Sequence, residues 1–118
     1  MRYSVDELTQ ICVRLLEALG ASQKEANTIA SQLIEANLRG QDGHGVLMLP
    51  YYAKQVLEGK FKLGVEVDVV RETPSSAVIN GNWGFGQIIA SKAMDLAIAK
   101  AETQSISLVG IFNCNHIG

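Results

Sequence analysis

Two histidines are the side chains in this sequence best suited by type to move protons near neutral pH. His44 lies in Gly40-Gln41-Asp42-Gly43-His44-Gly45, and His116 in Asn113-Cys114-Asn115-His116-Ile117-Gly118. Neither falls on an apolar helical stripe. Each occupies a loop with glycine nearby, where a ligand can come close to the backbone and unusual angles are allowed. A purely structural role, in which each imidazole only ties down its own loop, stays open at this level. Two histidines without a third ligand make a weak case for zinc. Cys12 and Cys114 lack metal-like spacing, and no Ser/His/Asp set or fixed carboxylate pair is present. The residues therefore point to acid–base chemistry and to no metal.

A second motif, Gly84-Phe85-Gly86-Gln87-Ile88-Ile89-Ala90, sits between a predicted strand and a predicted helix and loosely matches a dinucleotide-binding G-x-G turn. Its third small residue comes one position late, and no acidic residue ends the following strand to hold a ribose. Asn82 and Trp83 precede it where a phosphate turn needs small residues. A structural turn at a helix start is the better reading.

The elements that must position these loops are legible from capping and periodicity. Ser4 with Glu7 forms a capping-box pattern, followed by Val5, Leu8, Ile11, Cys12, Leu15, Leu16 and Leu19 at helical spacing, with Gly20 as the stop. Ser22 with Glu25 repeats the pattern before Ala26, Ile29, Ala30, Leu33 and Ile34, and Gly40 ends that helix. Two such helices on a short link predict an antiparallel hairpin. A third helix is expected from about Val46 to Leu57, with Pro50 tolerated only near its first turn and Gly59 closing it. Val65, Val67, Val69 and then Ala77, Val78, Ile79 read as two strands parted by Thr73-Pro74-Ser75. A long helix is expected from about Gln87 to Thr103, with Ile88, Ile89, Met94, Ala97, Ile98 and Ala101 on its apolar face. The run Ile106 to Phe112 reads as a strand covered on both faces. His116 then follows the end of a buried strand, where open α/β sheets place their ligands.

Composition bounds the function classes. The 118 residues are 47% apolar and 19% charged with a net charge of -2, ordinary for a globular chain. Lys and Arg are scattered, so there is no basic footprint for nucleic acid. No apolar run reaches the length of a membrane span, and the polar, acidic start is not a secretory signal. Cys12 reads as a small buried hydrophobe, and two isolated cysteines suit a reducing, cytoplasmic setting.

The segment Leu38-Arg39-Gly40-Gln41-Asp42-Gly43-His44-Gly45-Val46, with Leu49-Pro50-Tyr51-Tyr52 behind it, resembles the hallmark segment of the malate/L-lactate dehydrogenase family. That family also takes in ureidoglycolate, sulfolactate and diketogulonate oxidoreductases. Three further stretches fit it in the same order: Asn82-Trp83-Gly84-Phe85-Gly86-Gln87, the Ala93-Met94…Ala97-Ile98…Ala101 helix, and Asn113-Cys114-Asn115-His116-Ile117-Gly118. The resemblance implies an α/β fold: a helical N-terminal segment (1–60), then the start of a mixed-sheet, non-Rossmann dehydrogenase domain (61–118), incomplete here. It implies hydride transfer between NAD or NADP and a 2-oxoacid/2-hydroxyacid such as malate or lactate. It also implies a homodimer at full length and little or no activity for 118 residues alone, about the first third of such enzymes.

By the same resemblance His44 and His116 are the catalytic candidates, one as acid/base and one orienting the substrate, in either assignment. Tyr52 matches a position lining the substrate site. Gly43 stands where many members have Ser, and Met48 where many have an Arg able to grip a carboxylate with two parallel hydrogen bonds. Most of the cofactor-binding segments are expected beyond this chain. Two other readings compete: a non-catalytic helical interaction or dimerisation module, and a small dinucleotide-binding protein resting on the G-x-G turn alone.

Overall fold

The structure, a computed structural model, describes residues 2–118. Helices α1 (Val5–Ala18), α2 (Gln23–Leu38) and α3 (Leu49–Leu57) precede strands β1 (Asp68–Thr73) and β2 (Ser76–Asn80). Helix α4 (Gly86–Gln104) and strand β3 (Leu108–Phe112) follow. The chain divides into two compact units, one ending at Gly64 and one spanning Val65–Ile117.

In the first unit, α1 and α2 pack on one another. The Ser4–Glu7 capping box forms in full: Ser4 Oγ accepts from the Glu7 amide at 3.1 Å, and the Glu7 carboxylate accepts from the Ser4 amide at 3.0 Å. The second expected box forms only by half. Ser22 Oγ caps the Glu25 amide, but the Glu25 carboxylate turns away and accepts from the Gly64 amide at 3.0 and 3.1 Å. A long-range partner has replaced a local one.

Both helices end in the same way. Gly20 (φ 109°) and Gly40 (φ 80°) take left-handed angles, so the next amide, of Ala21 or Gln41, bonds back to Leu16 or Ala36. Gly59 closes α3 by the same device. The α2 stripe is buried as its spacing predicts. The α1 stripe is not: only Cys12 and Leu16 are fully enclosed, while Val5, Ile11 and Leu15 are exposed. One neighbouring helix can cover only one row of side chains, and seven residues form more than one row.

In the second unit, β1 and β2 form an antiparallel hairpin, and β3 lies parallel to β2 after the α4 crossover. The first strand begins later than Val65, and its register shifts between Val69 and Arg71. Val65 and Val67 instead pack on a core of Ile79, Ile89 and Ala93 with Leu96, Val109 and Ile111. Lys100, itself nearly enclosed, donates to Glu72 and to the Thr73 carbonyl, both at 2.8 Å, fastening α4 to the hairpin. Two expectations fail here. Met94 and Ile98 are exposed on α4, and β3 is open at both ends, with Leu108 73% and Phe112 42% exposed. Among the described residues β3 pairs only with β2, so nothing supplies its second neighbour.

Candidate functional site

The two histidine loops lie one in each unit. In the first, the stop at Gly40 releases the chain into two 3₁₀ turns, Asp42–His44 and Val46–Met48. The His44 amide donates to the Gln41 carbonyl (2.9 Å), the Gly45 amide to Asp42 (3.1 Å) and the Met48 amide to Gly45 (2.9 Å). These turns delay the third helix to Leu49, with Pro50 in its first turn, where a missing amide costs nothing.

Asn37, in the last turn of α2, reaches into this loop. Its Oδ1 accepts from the Val46 amide at 2.9 Å, and its Nδ2 donates to Asp42 Oδ1 at 2.9 Å. Gly45 is buried against that carboxamide, and a β-carbon there would collide with it. His44 and Gly43 are exposed and Met48 is half-buried. Tyr52 is fully buried, its ring 5.7 Å from Phe61 and 6.1 Å from Tyr51. Of the three residues expected on the substrate side, Gly43 and Met48 present surface and Tyr52 does not.

The second loop joins the carboxyl ends of the parallel strands. The Gly81 amide donates to the Phe112 carbonyl (2.9 Å) and the Trp83 amide to Asn113 (2.8 Å), extending the β2–β3 pairing past both strand ends. Asn82 and Trp83 take positive φ values of 50° and 60°, and Asn113 51°. Such angles are uncommon for a ring as large as that of Trp83. Asparagine side chains hold the turn: Asn82 Nδ2 donates to the Glu66 carbonyl at 2.6 Å, and Asn115 Nδ2 to the Trp83 carbonyl at 2.6 Å. Half-buried His116 follows directly.

Gly86, the first residue of α4, faces the carbonyl oxygens of Asn115 and His116, and a β-carbon would strike both. Its small size therefore admits the protein's own backbone. Carbonyl oxygens repel phosphate, so this turn does not fit a nucleotide's phosphates, and the chain's own residues form no phosphate cradle there. Burial pushes the Cys114 thiol above its ordinary value, and its Sγ donates to the Asn115 carbonyl. It is a protonated neighbour at neutral pH rather than a nucleophile. Among the described residues no group of three His, Cys, Asp or Glu side chains could hold a metal ion. Among the same residues no helix is long and apolar enough to cross a membrane.

Asn82 and Asn115 fall inside motifs that the sequence marks, with no role of their own attached, and Asn37 falls in none of them. The available signal was Asn37 itself, a poor helix former placed in a final helical turn directly before a glycine-rich histidine loop.

Comparison with known proteins places this geometry. Residues 3–118 match the family model described as malate/L-lactate dehydrogenase. The chain is 42% identical over 118 residues to a malate dehydrogenase of Pyrococcus abyssi, covering all of this chain and 33% of that protein. It is 36% identical to a malate/(S)-sulfolactate dehydrogenase of Methanothermus fervidus, again over all of this chain and 35% of the relative. A solved structure of malate dehydrogenase from Pyrococcus horikoshii superposes with a TM-score of 0.97 at 38% identity, over the whole chain and 34% of its own. The chain thus spans about a third of the length of the curated relatives it matches.

Proposed function

The chain belongs to the malate/L-lactate dehydrogenase family, and on that premise we propose that it forms the N-terminal part of an oxidoreductase acting on a 2-oxoacid/2-hydroxyacid pair such as malate or lactate. The observation that supports this most is a family match running from residue 3 to residue 118 with both histidine loops inside it.

In this reading a nicotinamide nucleotide, NAD or NADP, supplies or takes hydride at the substrate carbon, and it is held mainly by polypeptide beyond these 118 residues. In this reading the helical segment, expected over 1–60, precedes the start of a non-Rossmann mixed-sheet domain, expected from 61. One of His44 and His116 gives a proton to the substrate oxygen during reduction and takes it back in the reverse direction; the other orients the substrate by hydrogen bonding. Gly43 and Met48 lie on the substrate side, and Tyr52, buried with its ring near Phe61, anchors α3. Met48 cannot form the paired hydrogen bonds of an arginine, so a second carboxylate would be anchored by a different group. The full-length protein is proposed to be a cytoplasmic homodimer.

The test is a graft. The 118 residues replace the corresponding segment of the Pyrococcus horikoshii malate dehydrogenase, and oxidation of NADH and NADPH is followed with oxaloacetate, pyruvate and further 2-oxoacids. The proposal expects turnover by the graft and none by the 118-residue chain alone. A folded graft that turns over no 2-oxoacid, with the free chain instead forming a stable complex with another protein, would favour the interaction-module reading.

A further inference from the structure

We propose that Asn37 is the positioning residue for His44: its carboxamide fastens the loop on both flanks of the histidine and thereby sets where the imidazole stands. The inference rests on the reading that His44 serves the reaction, and it adds a residue that reading does not contain. Asn37 grips position 42 through Nδ2 and position 46 through Oδ1, both at 2.9 Å, so the five residues centred on His44 are tied at each end to one planar group. That group projects from the last turn of a helix whose stripe is buried, and the Arg39 and Gly40 amides complete the turn by donating hydrogen bonds to the Glu35 and Asn37 carbonyls. The clamp is therefore mounted on a rigid element, as precise placement of a reacting side chain requires.

The chemistry at position 37 is narrowly specified. The side chain must present one acceptor and one donor in a single plane at short reach. Aspartate loses the donor and sets a second carboxylate against Asp42, and that repulsion turns the side chain out of the loop, so the Val46 amide loses its acceptor as well. Glutamine is one methylene longer, and Gly45 already lies so close that it has no room for a β-carbon. Gly45 is the other half of the device, since its bare Cα lets the carboxamide lie flat beneath the histidine loop.

The experiment exchanges the two partners. Asn37→Asp breaks the clamp, and Asn37→Asp combined with Asp42→Asn restores it with donor and acceptor reversed. Two readouts are taken: kcat and KM in the graft, and the His44 side-chain couplings with Val46 amide exchange by NMR in the 118-residue chain. Misplacement of a reacting group by about 1 Å can cost on the order of 100-fold in rate. The single variant is expected to lower kcat about 10- to 100-fold with little change in KM, average the His44 couplings and speed Val46 exchange. The double variant should recover kcat to within about threefold, together with the native couplings. If Asn37→Asp does not fold, Gly45→Ala, which displaces the carboxamide while leaving α2 intact, carries the same expectation.

Native couplings and native Val46 exchange in the broken clamp would overturn the inference, as would a double variant no better than the single. If the unsubstituted graft is inactive, the enzymatic reading fails, while the couplings and the Val46 amide still decide whether Asn37 positions His44.

Discussion

At the scale of single residues, the histidine loops are shaped by what surrounds the imidazoles more than by the imidazoles themselves. Gly43 is instructive because the family resemblance expects serine there. A β-carbon at Gly43 meets nothing within 4 Å, and its backbone is not in the left-handed region. Gly43→Ser should therefore fold normally and gain about 0.4–1 kcal/mol by restricting the unfolded chain, read as a shift in the denaturation midpoint; a loss would mean the loop needs the freedom of glycine. The two cysteines allow a pH prediction. Burial raises the Cys12 thiol, a backbone hydrogen bond opposing this in part, and burial alone raises Cys114. Each thiol then holds its proton in the folded protein to a higher pH than in the unfolded chain. That contribution to stability is complete below about pH 8.5 and is lost as pH rises through the folded values. Denaturant titrations between pH 7 and 10 should show stability falling on the alkaline side, and less steeply in Cys12→Ala. Parallel curves would remove thiol ionisation from the account. The histidines and their glycines were legible in the sequence, because residue type and spacing announce them. The roles of Asn37, Asn82 and Asn115 were not, because their partners at positions 46, 66 and 83 are fixed only once the chain has folded.

At the scale of elements, local signals were read well and partner choice was read poorly. Ser4 and Glu7 lie three residues apart and have no competing partner, so the predicted box forms. Glu25 has the same spacing from Ser22 but is claimed by the Gly64 amide, 39 positions away. The helix ends carry a further contrast. Three of them use glycine at the left-handed position, whereas α4 stops at Ser105 with φ 72°. A non-glycine residue there costs about 1–2 kcal/mol, so Ser105→Gly should raise stability by roughly 0.5–1 kcal/mol after the entropy of the added glycine is deducted. Thermal unfolding of the two proteins checks this; an unchanged or lower midpoint would show that the serine's own contacts outweigh the strain.

At the scale of the whole molecule, apolar periodicity overstated burial wherever it required a neighbour absent among the described residues. The α2 stripe and the Ile79–Ile89 core were legible because their partners are here. Leu108, Met94 and Ile98 line an open apolar groove between α4 and β3 of about 560 Å³, and their spacing could not reveal that no described residue covers it. The two classes should respond differently to substitution. Ile79→Ala, at 1% exposure, should cost about 2–5 kcal/mol, while Ile98→Lys, at 51% exposure, should stay within about 0.5 kcal/mol in this chain. Equal losses would mean the groove is already filled.

The central claim is that this chain supplies acid–base histidines to a 2-oxoacid reductase, and the most direct test is kcat of the Pyrococcus horikoshii graft with His44→Ala and His116→Ala introduced singly. The account predicts that both variants fold and both lose activity, the acid/base histidine by about 100- to 10,000-fold and the orienting one by less. Undiminished turnover in both would contradict it and leave the two histidines as loop residues.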